Sequence, residues 1–135
     1  MPPSDQTPDS AALESLQKQL LRAAGGSYSV PEAAERLSIS ERAVRGSIAR
    51  GTLLGVRFRD HLRIPACQVE DGQILSGLGD VLRAMPVQHP WTQLGDLLEP
   101  LYALGGDRSL LDLIREGDAG YAVELASRLH ATGGL

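Results

Sequence analysis

The fold is decided by residues 28–65, YSVPEAAERLSISERAVRGSIARGTLLGVRFRDHLRIP. Ser29 and Glu32 are spaced as a capping box, in which the serine hydroxyl and the glutamate each bond a free amide at the start of a helix. Ser40 supplies the same capping chemistry for a second helix, which Gly51 ends. Two short helices joined by the turn Ser38–Ser40 predict a helix-turn-helix.

The residues after the second helix alternate between apolar and basic. Leu54–Arg59 and Leu62–Ile64 are typical of two strands, and Asp60-His61 supplies the turn between them. The alternation predicts a hairpin with one apolar face and one arginine face, packed on the helices because an isolated hairpin is only marginally stable. The predicted fold class is mainly α with a small β-hairpin wing, a winged helix-turn-helix followed by a small helical domain.

The rest of the chain divides around this module, residues 28–70. Residues 1–8 are polar without an apolar period and are predicted to be a disordered tail. Residues 9–27 form an N-terminal helix, and residues 71–135 form the helical domain. The N-terminal helix serves either for dimerisation or for packing within its own domain, through the apolar stripe Leu13, Leu16, Leu20 and Ala24.

Composition limits the class of protein. The 135 residues, 42% hydrophobic and 22% charged, suit one domain or two very small ones sharing a core. Cys67 is the only cysteine, so an internal disulfide is excluded and a reducing compartment is indicated. No apolar run approaches the roughly 18 residues of a membrane span, and the N-terminus lacks a signal pattern. We therefore expect a cytoplasmic protein with no membrane partner.

The motifs of common enzymes are missing. One cysteine and 3 histidines, without tight ligand spacing, do not make a structural metal site, and no glycine-rich phosphate loop occurs. Lys18, the only lysine, lies on the N-terminal helix, a poor position for Schiff-base chemistry. We expect no enzymatic activity, no metal and no cofactor.

Arginines concentrate in the middle of the chain. Residues 28–70 carry seven arginines against five acids, whereas residues 71–135 carry four arginines against nine acids. A bias of arginine over lysine explains the residue type but not this clustering. Because the arginine fork matches phosphate and guanine, we predict that the module binds double-stranded DNA. The predicted contacts lie on the second helix, its ends and the wing: Ser40, Arg42, Arg45, Arg50, Arg57, Arg59 and Arg63.

Residues 28–65 resemble the excisionase/MerR-type winged helix-turn-helix. The resemblance rests on Val30–Ala34, the Ile39-Ser40 turn, the Arg50-Gly51 helix end and Arg63–Pro65 after the wing. Two positions depart from the family pattern: Arg45 stands where an aromatic residue is common, and Gly46 where a larger polar residue is usual. The resemblance therefore implies the fold more strongly than any particular base contact.

Residues 72–134 resemble the C-terminal domain of Xre/MbcA/ParS-type antitoxins. The most specific stretch is LGGDRSLLDLIREGD at 104–118, with Ser109 where the family often has proline. Three further stretches complete the resemblance: GQILSGLGDVLRAM at 72–85, Trp91 with Leu94, Leu97 and Leu98, and a closing helix that ends near Gly133. The helical pattern itself predicts this last helix from about Asp118 to His130.

This second resemblance implies a mechanism. Such antitoxins form homodimers, bind their own operator and use a C-terminal segment to block a RES-type toxin, an enzyme that attacks NAD. Here that segment is residues 117–135, and residues 71–135 would be the toxin-binding and dimerisation domain. The implied toxin-binding residues are Tyr121, Glu124, Arg128 and His130.

Two other functions fit the same sequence. One is a stand-alone transcription regulator whose C-terminal half only oligomerises. The other is an excisionase-type DNA-bending protein, which would need no acidic C-terminal domain. An adjacent reading frame encoding a RES-like protein would favour the antitoxin.

Overall fold

The computed structural model describes residues 8–131 and confirms the predicted fold class. Within that range the elements, in chain order, are α1 (Pro8–Ala23), β1 (Ser27–Tyr28), α2 (Val30–Leu37), α3 (Glu41–Ala49), β2 (Val56–Phe58), β3 (His61–Pro65), β4 (Val69–Glu70), β5 (Gln73–Ile74), α4 (Leu78–Ala84), α5 (Pro90–Leu98), α6 (Leu110–Arg115) and α7 (Ala119–Ala126). Of the tail predicted at residues 1–8, all but Pro8 lie outside the described residues, and Pro8 begins α1.

The helix pair α2–α3 begins and ends where its local capping residues dictate. Ser29 Oγ accepts a hydrogen bond from the Glu32 amide at 3.2 Å, and the Glu32 carboxylate accepts one from the Ser29 amide at 2.8 Å. This bond from the Ser29 backbone is the main reason that the pKa of Glu32 lies below its usual range. Ser38, in the left-handed region at φ 56°, ends α2. The predicted helix-turn-helix is therefore present.

The wing is a hairpin, but its turn and register differ from the prediction. The turn residues are Arg59 and Asp60, at φ 50° and 66°, because a two-residue turn with both residues left-handed matches the twist of the strands. Val56 therefore pairs with Arg63, and Arg57 pairs with Leu62. Since paired residues of an antiparallel ladder project to the same face, Arg57 and Arg63 lie on opposite faces. The predicted separation into an apolar face and an arginine face is wrong.

Apolar residues lie on both faces of this sheet. Val56 belongs to a larger apolar cluster formed with the C-terminal helices, whereas Ile64 belongs to a smaller cluster formed with α2 and α3. A third strand, β1, lies on the other side of β3, where Tyr28 pairs with Ile64. Two residues are too few to show a strand period, so β1 could not be predicted from the sequence pattern. The sheet separates the two clusters.

Both domain boundaries drawn from the sequence fall inside hydrogen-bonded segments. The boundary between residues 27 and 28 divides β1, and the boundary between residues 70 and 71 separates β4 from its partner β5. The N-terminal helix, the wing and the C-terminal helices all contribute to the larger apolar cluster.

Helix α1 packs within its own chain over its second half only. Leu20 and Leu21 pack against the larger cluster, Ala24 just beyond the helix is buried within it, and α1 contacts α5. Leu13 and Leu16, in the first half, are 56% and 52% exposed. Packing in the chain thus accounts for one half of the predicted stripe and leaves the other half uncovered.

The last helix is shorter than predicted. The prediction extended it from Asp118 to His130, whereas α7 ends at Ala126 and the chain continues in turns. His130 adopts φ 62°, which no α-helix accommodates, and its Nε2 lies 3.0 Å from Asp96 Oδ1 on α5. The helix thus ends before the predicted residue, and the chain beyond it makes the contact between His130 and Asp96, which are 34 positions apart in sequence.

Gly77 allows α4 and α7 to approach closely. It has φ 89°, and a Cβ atom there would lie 2.4 Å from the Ala119 Cβ. We expect Gly77→Ala to lower the free energy of unfolding by about 3 kcal/mol, because backbone strain and steric overlap add. The control Gly106→Ala has φ 85° but open space around it, so it should cost only about 1 kcal/mol. Urea unfolding measures both, and equal losses would contradict the close approach.

The longest helix of the described residues, α1, has 16 residues. A transmembrane helix needs about 20 apolar residues. None of the helices between residues 8 and 131 meets both the length and the hydropathy that crossing a membrane requires.

Candidate nucleic-acid interface

Helix α3 presents two arginines on its outward face. Val44 is fully buried and Ser47 nearly so, which fixes the inward side of the helix. Arg42 and Arg45, one turn apart on the other side, are exposed. Within residues 8–131 neither guanidinium has a hydrogen bond or an ion pair with another side chain. Both remain available to a ligand outside the chain.

Arg50 lies at the C-terminal end of α3, on the flank between its outward and inward sides. It caps the C-terminus of the helix, and its Nη2 donates a long hydrogen bond to Ser47 Oγ at 3.4 Å. A Cβ atom at Gly46 would lie 3.1 Å from Arg50 Nη1. Gly46, which departs from the family pattern, therefore leaves room for the guanidinium of Arg50.

Ser40 serves mainly as the cap of α3. Its Oγ accepts a hydrogen bond from the Ala43 amide at 3.0 Å. The hydroxyl proton is still free to be donated, and the first amides of the helix have no partner within it. These groups lie at the end of α3 where the helix dipole favours an anion. The predicted phosphate contact of Ser40 is compatible with its capping role.

The three wing arginines differ from one another. Arg57 is exposed and makes no side-chain ion pair with the described residues. Arg59 donates to Glu14 Oε1 on α1 at 2.7 Å and lies over the Phe58 ring. The hydrogen bond from Arg59 holds the pKa of Glu14 below its usual range. Arg59 therefore already has a partner inside the chain.

Arg63 is also engaged within the chain. Its Nε donates to Ser27 Oγ at 2.9 Å and its Nη2 donates to the Ser27 carbonyl at 3.0 Å. The same guanidinium lies 3.9 Å from the Glu32 carboxylate. Its geometry therefore fixes β1 against β3, and it is a weaker candidate for DNA than Arg57.

The wing is held against the helical part of the chain through one aromatic pair. Trp91 on α5 donates from Nε1 to the Arg57 carbonyl at 3.2 Å. Its ring meets the Phe58 ring edge to face, with centroids 6.4 Å apart. The backbone at Arg57 is thereby anchored to α5.

The residues implied to bind a toxin lie in two places. Tyr121 is 39% exposed on α7. Glu124, on the same helix, pairs with Arg128 at 3.3 Å. His130 lies apart from them, because both oxygens of the buried Asp96 are within 3.1 Å of its Nε2. The sequence reasoning missed Asp96, whose only signal was a carboxylate among the apolar positions of α5.

The remaining groups with chemical reactivity are the cysteine thiol and the potential metal ligands. Burial raises the pKa of the Cys67 thiol to about 11, so it carries little nucleophilic thiolate at neutral pH. Over residues 8–131 no three His, Cys, Asp or Glu side chains come together in a way that could hold a metal ion. Tyr102, for which a core position was the alternative to an interface role, is 98% exposed between α5 and α6.

Comparison with known proteins supports the architecture. No protein-family model and no curated protein matches the chain. An NMR structure of the protein Rv2175c is similar to it, with a TM-score of 0.61 and 21% sequence identity. The similarity covers 76% of this chain and 80% of that one. At this level of identity the likeness shows a shared fold and nothing about activity.

Proposed function

We propose that this protein binds double-stranded DNA with the outward face of α3 in the major groove. The observation that carries the proposal is the pair Arg42 and Arg45, exposed one turn apart on a helix whose other side is buried. Side chains in this arrangement reach base edges or phosphates when such a helix enters the groove. Arg50 at the end of α3 and Arg57 on the wing would add phosphate contacts on either side of this face.

A DNA-binding assay tests the proposed DNA binding directly. A duplex covering the DNA upstream of the protein's own coding sequence should bind more tightly than unrelated duplex of equal length at about 0.15 M salt, because specific sites gain base contacts over the shared phosphate attraction. Equal affinity for both duplexes would reject sequence-specific binding at that operator.

We further propose that the protein acts in the cytoplasm as the antitoxin of a RES-type toxin. The support is the sequence resemblance of residues 72–134, together with the nine acids of residues 71–135. An acidic surface with an exposed tyrosine suits a partner whose active site carries basic groups. The lone buried Cys67 agrees with a reducing compartment.

The proposed homodimer has a candidate surface on α1. Leu13 and Leu16 are each more than half exposed and lie one turn apart. Two such helices packed against each other would cover both leucines, as in other helix–helix interfaces. This surface is distinct from α3, so a dimer could present two recognition helices to the two halves of an operator.

The toxin surface is testable by substitution, whereas deletion of residues 117–135 is unsuitable because Ala122 and Ala126 of α7 are fully buried. We expect Tyr121→Ala combined with Glu124→Lys to abolish neutralisation of the toxin and to leave DNA affinity unchanged. The matched control Tyr102→Ala combined with Glu99→Lys changes the same residue types elsewhere. A growth assay reads out neutralisation. Equal rescue by the two double variants would reject this toxin surface.

A stand-alone transcription regulator is the second candidate. Three of the implied toxin-binding residues already have partners within the chain, which favours this candidate. Glu124 and Arg128 pair with each other, and His130 contacts Asp96. On this alternative the C-terminal helices only complete the core and the dimer. The variant at Tyr121 and Glu124 would then have no effect on growth, because no toxin is involved.

A further inference from the structure

A cleft of about 310 Å³ lies between the end of α3 and the α4–α5 segment. Ile48–Gly51 and Leu53–Gly55 line one wall, and residues of α4, α5 and their connection line the other. Its volume is at the lower end of the range for small-molecule sites. Neither the proposed toxin surface nor the exposed face of α1 uses this cleft.

The charged groups in the cleft are both cations. Among the residues that the structure describes, the Arg50 guanidinium makes only the long 3.4 Å bond to Ser47, which leaves most of its donors free. Arg83, from the opposite wall, is held by Asp80 at 2.8 Å. None of the residues that line the cleft is acidic. The cleft therefore favours an anionic group near Arg50.

A buried amide gives the cleft a hydrogen-bond acceptor. Gln93 is 6% exposed, and its Nε2 donates to the Leu82 carbonyl at 3.2 Å, which fixes the amide orientation. Its Oε1 accepts no hydrogen bond from the described residues. No buried side-chain polar atom of those residues lacks a partner, so the Oε1 is reached by solvent. Gln93 lines the cleft, so its Oε1 is the candidate acceptor for a donor on a ligand bound there.

We propose that the cleft binds a small organic anion with an apolar body and an N–H or O–H donor. The anion would pair with Arg50, the donor would bond Gln93 Oε1, and the body would lie on apolar side chains. These are contributed by both walls: Ile48, Leu53, Leu54 and Leu82. Such a ligand would contact the recognition helix and the C-terminal helices at once.

Indole-3-acetate is a suitable probe because it combines the three features. We expect titration of the isotope-labelled full chain to shift the amide resonances of Leu53–Gly55 and of Arg83–Gln93. Indole lacks only the anion and naphthalene-1-acetate lacks only the N–H donor, so each should bind about tenfold more weakly. Acetate lacks both the apolar body and the donor and should bind more weakly still, by about 100-fold. Equal affinity for acetate and indole-3-acetate would overturn the proposal.

Two variants locate the site. Arg50→Gln should weaken indole-3-acetate about tenfold, and Ala49→Met should block the cleft by volume without altering a charge. Ala49 is exposed, so the substitution leaves the core intact. The control Arg108→Gln removes a cation far from the cleft that pairs with Glu116. The proposal would be overturned if Arg108→Gln weakened probe binding as much as Arg50→Gln does. It would also be overturned if Ala49→Met left probe binding unchanged.

Arg50 is also a proposed DNA contact at the end of α3, so the ligand and DNA should compete for it; this consequence rests on the proposed DNA binding. Saturating indole-3-acetate should lower the DNA affinity of the parent protein and leave that of Ala49→Met unchanged. Unchanged affinity of the parent would overturn the shared use of Arg50. Probe binding by a protein that binds no DNA would uphold the cleft and reject the proposed function.

Discussion

Replacing Arg42 and Arg45 together by glutamine is expected to lower the affinity for operator DNA by about 100-fold, about tenfold for each arginine contact. Both side chains are exposed on the outward face of α3 and have no partner within the described residues, so both are available to contact DNA. If the arginines contact phosphates, the slope of log affinity against log salt should also fall by about 2. Fluorescence anisotropy at several salt concentrations measures both quantities.

The matched control removes the same charge from the acidic half of the chain. Arg108 and Arg115 are 42% and 41% exposed and pair with Glu116 and Glu70. We expect Arg108→Gln combined with Arg115→Gln to leave the affinity within a factor of about 2, because the two charges lie outside the proposed interface. A loss as large as that of the α3 variant would show that net charge, and not the recognition helix, determines binding.

The largest loss of stability is expected from Gln68→Ala. Gln68 is fully buried, and its Oε1 accepts from the Leu54 amide at 2.6 Å. Its Nε2 donates to the Leu54 carbonyl at 2.9 Å and to the Pro65 carbonyl at 3.1 Å. The substitution leaves these backbone groups unsatisfied and opens a cavity, so the free energy of unfolding should fall by about 4 kcal/mol.

Thermal unfolding with a matched control checks this expectation. Gln73→Ala makes the same change at an exposed position of β5 and should leave the melting temperature within about 2 °C of the parent. Gln68→Ala should lower it by more than about 10 °C. A Gln68→Ala protein as stable as Gln73→Ala would mean that the α3–β2 connection does not depend on this amide.

The helix-turn-helix could be predicted from sequence because its signals are local. The hydroxyl of Ser29 and the carboxylate of Glu32 act within one turn of helix, and Ser40 bonds an amide three residues away. The register of the wing was not predictable in the same way. It depends on whether Arg59 or His61 occupies the turn, and the strand pattern alone does not distinguish them.

The candidate site could likewise be predicted only where its signals are local in sequence. The helical period was enough to separate Arg42 and Arg45 from the buried Val44. It could not reveal that Arg59 would meet Glu14, 45 residues away, or that Arg63 would meet Ser27, 36 residues away. His130 and Asp96 were likewise brought together by packing. The prediction failed for side chains whose partners are distant in sequence.

The most direct test of the proposed antitoxin function is a growth measurement on cells that express each genomic neighbour of this chain, with and without the chain itself. We expect that one neighbour stops growth when expressed alone, that this chain restores growth, and that the two proteins purify together. If no neighbour is toxic, or if a toxic one is unaffected by this chain, the antitoxin proposal is contradicted.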